Sequence, residues 1–92
     1  MIARALVIHG SVQGVGYRYA MLDAAESCGV AGWVRNRRDG TVEAFVQGDA
    51  AQVETIVAWC RRGPPAARVT TVDVVPATPD SALAEFTHRP TL

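Results

Sequence analysis

The spacing of apolar residues changes period four times along this chain, and that order restricts its fold more than any other feature. Ile2 to His9 alternates and becomes β-rich at Leu6, Val7 and Ile8, the pattern of a strand. Gly10 to Gly16 holds three glycines in seven residues and reads as a loop. From Tyr17 to Cys28 the residues Tyr17, Met21, Ala24, Ala25 and Cys28 fall on one helical face, and Gly29 supplies the stop. Val30 to Arg37 and Thr41 to Gln47 read as strands. Asp39-Gly40 between them predicts a two-residue hairpin turn, because that pair tolerates positive φ. In the second helix Asp49 is the expected N-cap, with Gln52 completing a capping box. Val53, Ile56, Val57 and Cys60 form its apolar stripe, Arg61 and Arg62 suit its negative end, and Gly63-Pro64 ends it. Ala67 to Val75 is a β-branched run, and Ala84 to His88 reads as a short edge strand.

This β-α-β-β-α-β order predicts one domain over residues 1–92. Two helices covering one face of an antiparallel sheet give a two-layer α+β sandwich of ferredoxin-like type, with a short fifth strand at the edge. In that topology the first two strands run parallel, with the third between them. The loop after strand one and the end of strand two then lie at the same edge, about 10 Å apart by strand spacing.

Nine basic and nine acidic residues give zero net charge, which argues against nucleic acid and anionic membranes as partners. All nine basic residues are Arg, so any anion site must rely on guanidinium and backbone N–H groups. No apolar run reaches the ~18 residues of a spanning helix. Met1-Ile2-Ala3-Arg4 lacks the basic and apolar regions of a signal peptide, and Cys28 and Cys60 are too few for a disulfide framework or zinc cage. A cytoplasmic monomer without metal or cofactor is expected. Both cysteines read as core residues, and His9 and His88 as strand residues.

The chemistry-bearing stretch is Gly10-Ser11-Val12-Gln13-Gly14-Val15-Gly16-Tyr17-Arg18. Its glycines let successive N–H groups point at one spot, and the helix that follows adds unsatisfied donors and a positive dipole end. Arg18, in the first turn, offers a planar fork for two phosphate oxygens. Gln13, Gly14, Val15, Gly16, Tyr17 and Arg18 are thus candidates for a cradle around a small dianion. A glycine loop serving only the turn, beside a surface Arg, is equally consistent with these residues. The dinucleotide and Walker patterns fail, since Tyr19 stands where a third glycine is needed and Lys is absent. A cysteine phosphatase fails too: Cys28 and Arg35 are one residue too far apart, and no Ser-His-Asp order or paired carboxylates appear.

Asn36, near the end of the second strand, faces the same side as Val34. It reads either as a structural Asn near a hairpin or, given the topology, as a residue beside the cradle. Arg35, Arg37 and Arg38 invite an RNA reading. Ala44-Phe45-Val46 mimics the middle of an RNP1 motif, but Thr41, Val42 and Gly48 break it, and a solvated strand face fits better.

Gly10-x-Val12-Gln13-Gly14-Val15-Gly16-Tyr17-Arg18, and Gly32-Trp33-Val34-Arg35-Asn36 through Gly40, Val42 and Gly48, resemble the two acylphosphatase signatures over nearly the whole chain. The resemblance implies a ferredoxin-like fold and hydrolysis of carboxyl-phosphate anhydrides. It makes Arg18 the phosphate-binding arginine and Asn36 the water-orienting asparagine. It further implies an acyl phosphate as small-molecule substrate, with inorganic phosphate or sulfate as competing anions. Ser11 departs from the basic residue often found there, and Pro90 interrupts the terminal strand. Two other roles for the fold stay open: a non-catalytic anion- or metabolite-binding module, and a domain serving a larger carbamoyl-transfer or maturation enzyme. The chain's length favours a free-standing domain over the latter.

Overall fold

Alternation along the central strands decides which sheet face is covered. The computed structural model describes residues 1–92, with β1 (Ile2–Ser11), α1 (Tyr17–Cys28), β2 (Ala31–Asn36), β3 (Val42–Gly48), α2 (Ala50–Arg62), β4 (Arg68–Ala77) and β5 (Phe86–His88). Leu6 and Ile8 on β1, Val34 on β2 and Val42, Ala44 and Val46 on β3 are buried, and all point to one side. There they meet Tyr17, Met21 and Ala25 of α1 and Val53, Ile56 and Cys60 of α2 in a single cluster. The strand order is β4-β1-β3-β2-β5. β3 lies antiparallel to both β1 and β2, so those two are parallel with one strand between them.

Both helices end as their sequences predict. The Asp49 carboxylate accepts the Gln52 N–H at 2.9 Å, and the Gln52 side chain accepts the Asp49 N–H at 3.0 Å. A cap of this kind contributes about 1 kcal/mol. Gly29 closes α1 with a Schellman pair: its N–H reaches the Glu26 carbonyl, and the Val30 N–H reaches that of Ala25.

Three expectations change. The first glycine belongs to the sheet, not the loop. β1 continues to Ser11 across a bulge between His9 and Gly10, where the register against β4 shifts. Gly10 has φ +124°, and a Cβ there would lie 2.0 Å from the Arg68 carbonyl oxygen, so β4 approaches too closely for a side chain. The hairpin turn is also longer than two residues. Gly40 N–H donates to Arg37 O at 3.2 Å and Arg37 N–H to Thr41 O at 2.9 Å, while positive φ is confined to Gly40. This is a three-residue loop, a type I turn closed by a glycine bulge. The Asp39 carboxylate accepts both the N–H and the hydroxyl of Thr41, bonds that hold its pKa below the usual carboxylate value.

Finally, the sheet is mixed, because β5 runs parallel to β2. After β4 the chain crosses to the opposite edge. The Gln47 side chain fixes that crossing by accepting the Asp80 N–H at 2.7 Å and donating to the Asp80 carbonyl at 2.9 Å. Pro90 has no N–H for pairing, yet the tail stays beside β2. Arg89 N–H donates to Val34 O before the proline, and Leu92 N–H to Asn36 O after it.

On the helix-free face Trp33 and Phe45 stack across β2 and β3 with ring centroids 6.3 Å apart. The guanidinium groups of Arg35 and Arg89 lie over the Trp33 ring, and Arg35 also donates to Glu43 at 2.7 Å. Arg35 is thus engaged within its own sheet.

Candidate active site

The loop Val12 to Gly16 joins the end of β1 to α1, and its shape follows from two glycines. Gly14 and Gly16 have φ of +74° and +78°, a left-handed conformation that other residues rarely adopt. Gly16 is the N-cap of α1 and carries no capping side chain; no acidic residue stands in the first turn. The first helical hydrogen bond here runs from Ala20 N–H to Gly16 O. The N–H groups of Tyr17, Arg18 and Tyr19 therefore have no acceptor within the helix and face outward at its positive end. An anion is the natural complement of such an end.

A cavity of about 200 Å³ lies at this point, lined by Val12, Gly14, Gly16, Tyr17, Arg18, Tyr19 and Asn36. It brings together the two residues that the sequence analysis set apart. Asn36 is the last residue of β2, paired in register with Val42, and its main-chain carbonyl is held by Leu92 N–H at 3.1 Å. The ion pairs of the chain, His9–Asp73 and Arg35–Glu43, do not involve Arg18, so its guanidinium is free for an anion. The lining contains no carboxylate, imidazole or thiol. No three His, Cys, Asp or Glu side chains come together in a group that could hold a metal.

Three loop residues expected in the cradle direct their side chains elsewhere. The Gln13 amide donates to Arg37 O at 2.7 Å and Thr41 O at 2.9 Å, tying the loop to the hairpin that follows Asn36. Val15 packs its side chain against the core. The Tyr17 ring is buried, its hydroxyl donating to Cys60 O at 2.8 Å and its edge meeting Trp59. Burial first, and the neighbouring Cys60 second, push the Tyr17 phenol far above its usual range. Burial likewise pushes the Cys60 thiol up to about 12, so neither group is a proton donor or nucleophile near neutrality. At Val15 and Tyr17 only the backbone remains available to an anion. Sequence reasoning passed over Tyr19 and Val12 as lining residues. The signal for Tyr19 was an aromatic off the apolar stripe, in the same helical turn as Arg18.

Gln13→Ala is accordingly expected to act on stability. Losing two hydrogen bonds of this kind typically costs about 1–3 kcal/mol, read as a lower urea midpoint at constant slope. Phosphate affinity should change little. A tenfold weaker phosphate affinity with an unshifted midpoint would place the Gln13 side chain on the anion instead.

Residues 4–88 match the family model for acylphosphatase. An acylphosphatase of Cupriavidus necator is 53% identical over 87 residues, covering 95% of this chain and 92% of its own. The chain belongs to the acylphosphatase family. The crystal structure of the acylphosphatase from Bacillus subtilis superposes with a TM-score of 0.92 at 31% identity, covering 97% of this chain and 99% of that one. HypF of T. kodakarensis also matches, at 26% identity and a TM-score of 0.84, over 97% of this chain but only 12% of its own. The acylphosphatase signatures thus coincide here with the elements that line the cavity: the β1–α1 loop and the end of β2. The expected topology and helix placement agree with the family's fold, apart from the parallel edge pair and the hairpin type described above.

Proposed function

We propose that this protein hydrolyses the carboxyl-phosphate bond of acyl phosphates, with Arg18 and the N–H groups of the β1–α1 loop holding the phosphoryl oxygens and Asn36 aiming the attacking water. The observation that carries the reading is the shared cavity, where an uncommitted guanidinium, an open helix N-terminus and a neutral amide converge. In the reaction the water oxygen bonds to phosphorus while the phosphorus–acyl oxygen bond breaks, its electron pair leaving on the carboxylate and the water's protons passing to the released phosphate or to solvent. A carboxylate is the conjugate base of an acid with pKa ~4 and departs without a general acid. A cavity lined by no carboxylate, imidazole or thiol suits that leaving group and would serve an alkoxide poorly. Catalysis then rests on positioning and on stabilising charge spread over the phosphoryl oxygens. The Asn36 amide has both a donor and an acceptor, so it can orient a water, but its neutral nitrogen gives it no useful basicity.

The same cradle makes inorganic phosphate and sulfate competing anions. Either should raise thermal stability by mass action, about 2.7 kcal/mol at a hundredfold excess over Kd. A thermal titration at fixed ionic strength, together with hydrolysis of benzoyl phosphate by the purified protein, tests the reading. Anion stabilisation without turnover would instead support a binding module, and neither effect would remove the cradle. No helix is long and apolar enough to cross a membrane. We further propose a cytoplasmic setting, which the free thiols Cys28 and Cys60 fit.

A further inference from the structure

We propose that Tyr19 forms the acyl-binding wall of this site, with His88 as its support, and that the pair favours acyl phosphates bearing a planar aromatic group. The inference rests on the acyl phosphate reading above and extends it to the other half of the substrate. The cavity holds about 200 Å³, below the roughly 300–1,000 Å³ of a pocket that encloses a whole small molecule. With the phosphoryl group against Arg18 and the loop, the acyl group has to project past the rim. Tyr19 is the aromatic residue there: it follows Arg18 in the first turn of α1 and lines the cavity, yet is 64% exposed.

Its ring is also held in place. The Tyr19 and His88 centroids are 5.8 Å apart at an interplanar angle of 53°, so this ring pair is one of the contacts between α1 and β5. His88 is registered against Val34, two residues before Asn36 on β2. The edge strand therefore supports the Tyr19 ring on the side of the site where Asn36 stands. Most of that ring remains open to solvent, offering an aromatic surface beside the phosphoryl position. Planar aromatic groups gain from offset or edge contacts with such a ring beyond their buried area, whereas a methyl group offers no π-face.

The test is the ratio of kcat/KM for benzoyl phosphate to that for acetyl phosphate, measured in the wild-type protein and in three variants. Comparing the ratio between proteins cancels the intrinsic reactivity difference of the two anhydrides. Tyr19→Ala should lower the ratio roughly two- to tenfold. Tyr19→Phe should keep most of it, because the ring and not the hydroxyl makes the wall. His88→Ala should lower it by a smaller factor, since the tyrosine ring then loses its support. Equal losses on both substrates in Tyr19→Ala would overturn the acyl-wall assignment and place Tyr19 in the phosphate cradle or the fold. Unchanged kcat/KM on both substrates in Tyr19→Ala would overturn it as well, while leaving the hydrolase reading intact. Absence of hydrolysis of either substrate by the wild-type protein would overturn both.

Discussion

Arg18→Ala is expected to lower kcat/KM for an acyl phosphate by at least roughly a hundredfold, the scale set by losing one preorganised donor to a developing oxyanion. Arg18 stands in the first turn of α1, where the backbone donors around it have no acceptor within the helix, and its guanidinium joins neither ion pair of the chain. Removing it takes away the one cationic side chain lining the cavity and leaves the weaker backbone donors alone with a dianion. Arg18→Lys should not restore activity, because an ammonium is a point charge and cannot span two phosphoryl oxygens as the planar fork does. The variants should unfold near the wild-type midpoint, since Arg18 is only half-buried and holds no other element. Near-normal turnover in a folded Arg18→Ala protein would remove Arg18 from the site.

Asn36→Ala is expected to collapse kcat by a different route. The residue ends the strand β2, and its backbone is fixed by the register with Val42 and by the bond from Leu92. Those main-chain bonds survive the substitution, so the loss falls on the side-chain amide. A group that orients the nucleophile acts mainly in the transition state, and its removal lowers kcat without weakening ground-state anion binding. Asn36→Asp should fail too, because a carboxylate beside the phosphoryl position repels a dianion at neutral pH. Steady-state kinetics of both variants checks this: a kcat within a few-fold of wild type in Asn36→Ala would exclude the water-orienting role.

The parts of this architecture that were legible in the sequence are those set by local chemistry. Asp49 and Gln52 cap α2 by contacts three residues apart, and Gly29 ends α1 through its own left-handed conformation. The meeting of Arg18 and Asn36 was legible for a less local reason. Once the element order requires β3 between β1 and β2, the β1–α1 loop and the end of β2 have to share an edge. What could not be read depends on partners distant in sequence. Gly10 looks like a loop glycine until β4 approaches it across the bulge. The parallel pairing of β5 with β2 comes after a crossing that Gln47 anchors from more than thirty residues away. Gln13 sits among amides that converge on the cradle, but the hairpin draws its side chain away with two carbonyl oxygens. The Asp39-Gly40 pair marks the hairpin but not its type, because only Gly40 takes the positive φ.

The division of labour between Arg18 and Asn36 is the central claim, and the inhibition constant of inorganic phosphate tests it most directly. Measured against benzoyl phosphate hydrolysis, the phosphate Ki should rise at least about tenfold in Arg18→Ala, where a charge-assisted contact to the anion is lost. In Asn36→Ala it should stay within about twofold of wild type, on the turnover that remains. A phosphate Ki that rises in Asn36→Ala as steeply as kcat falls would contradict the account and make Asn36 a ligand of the phosphoryl group.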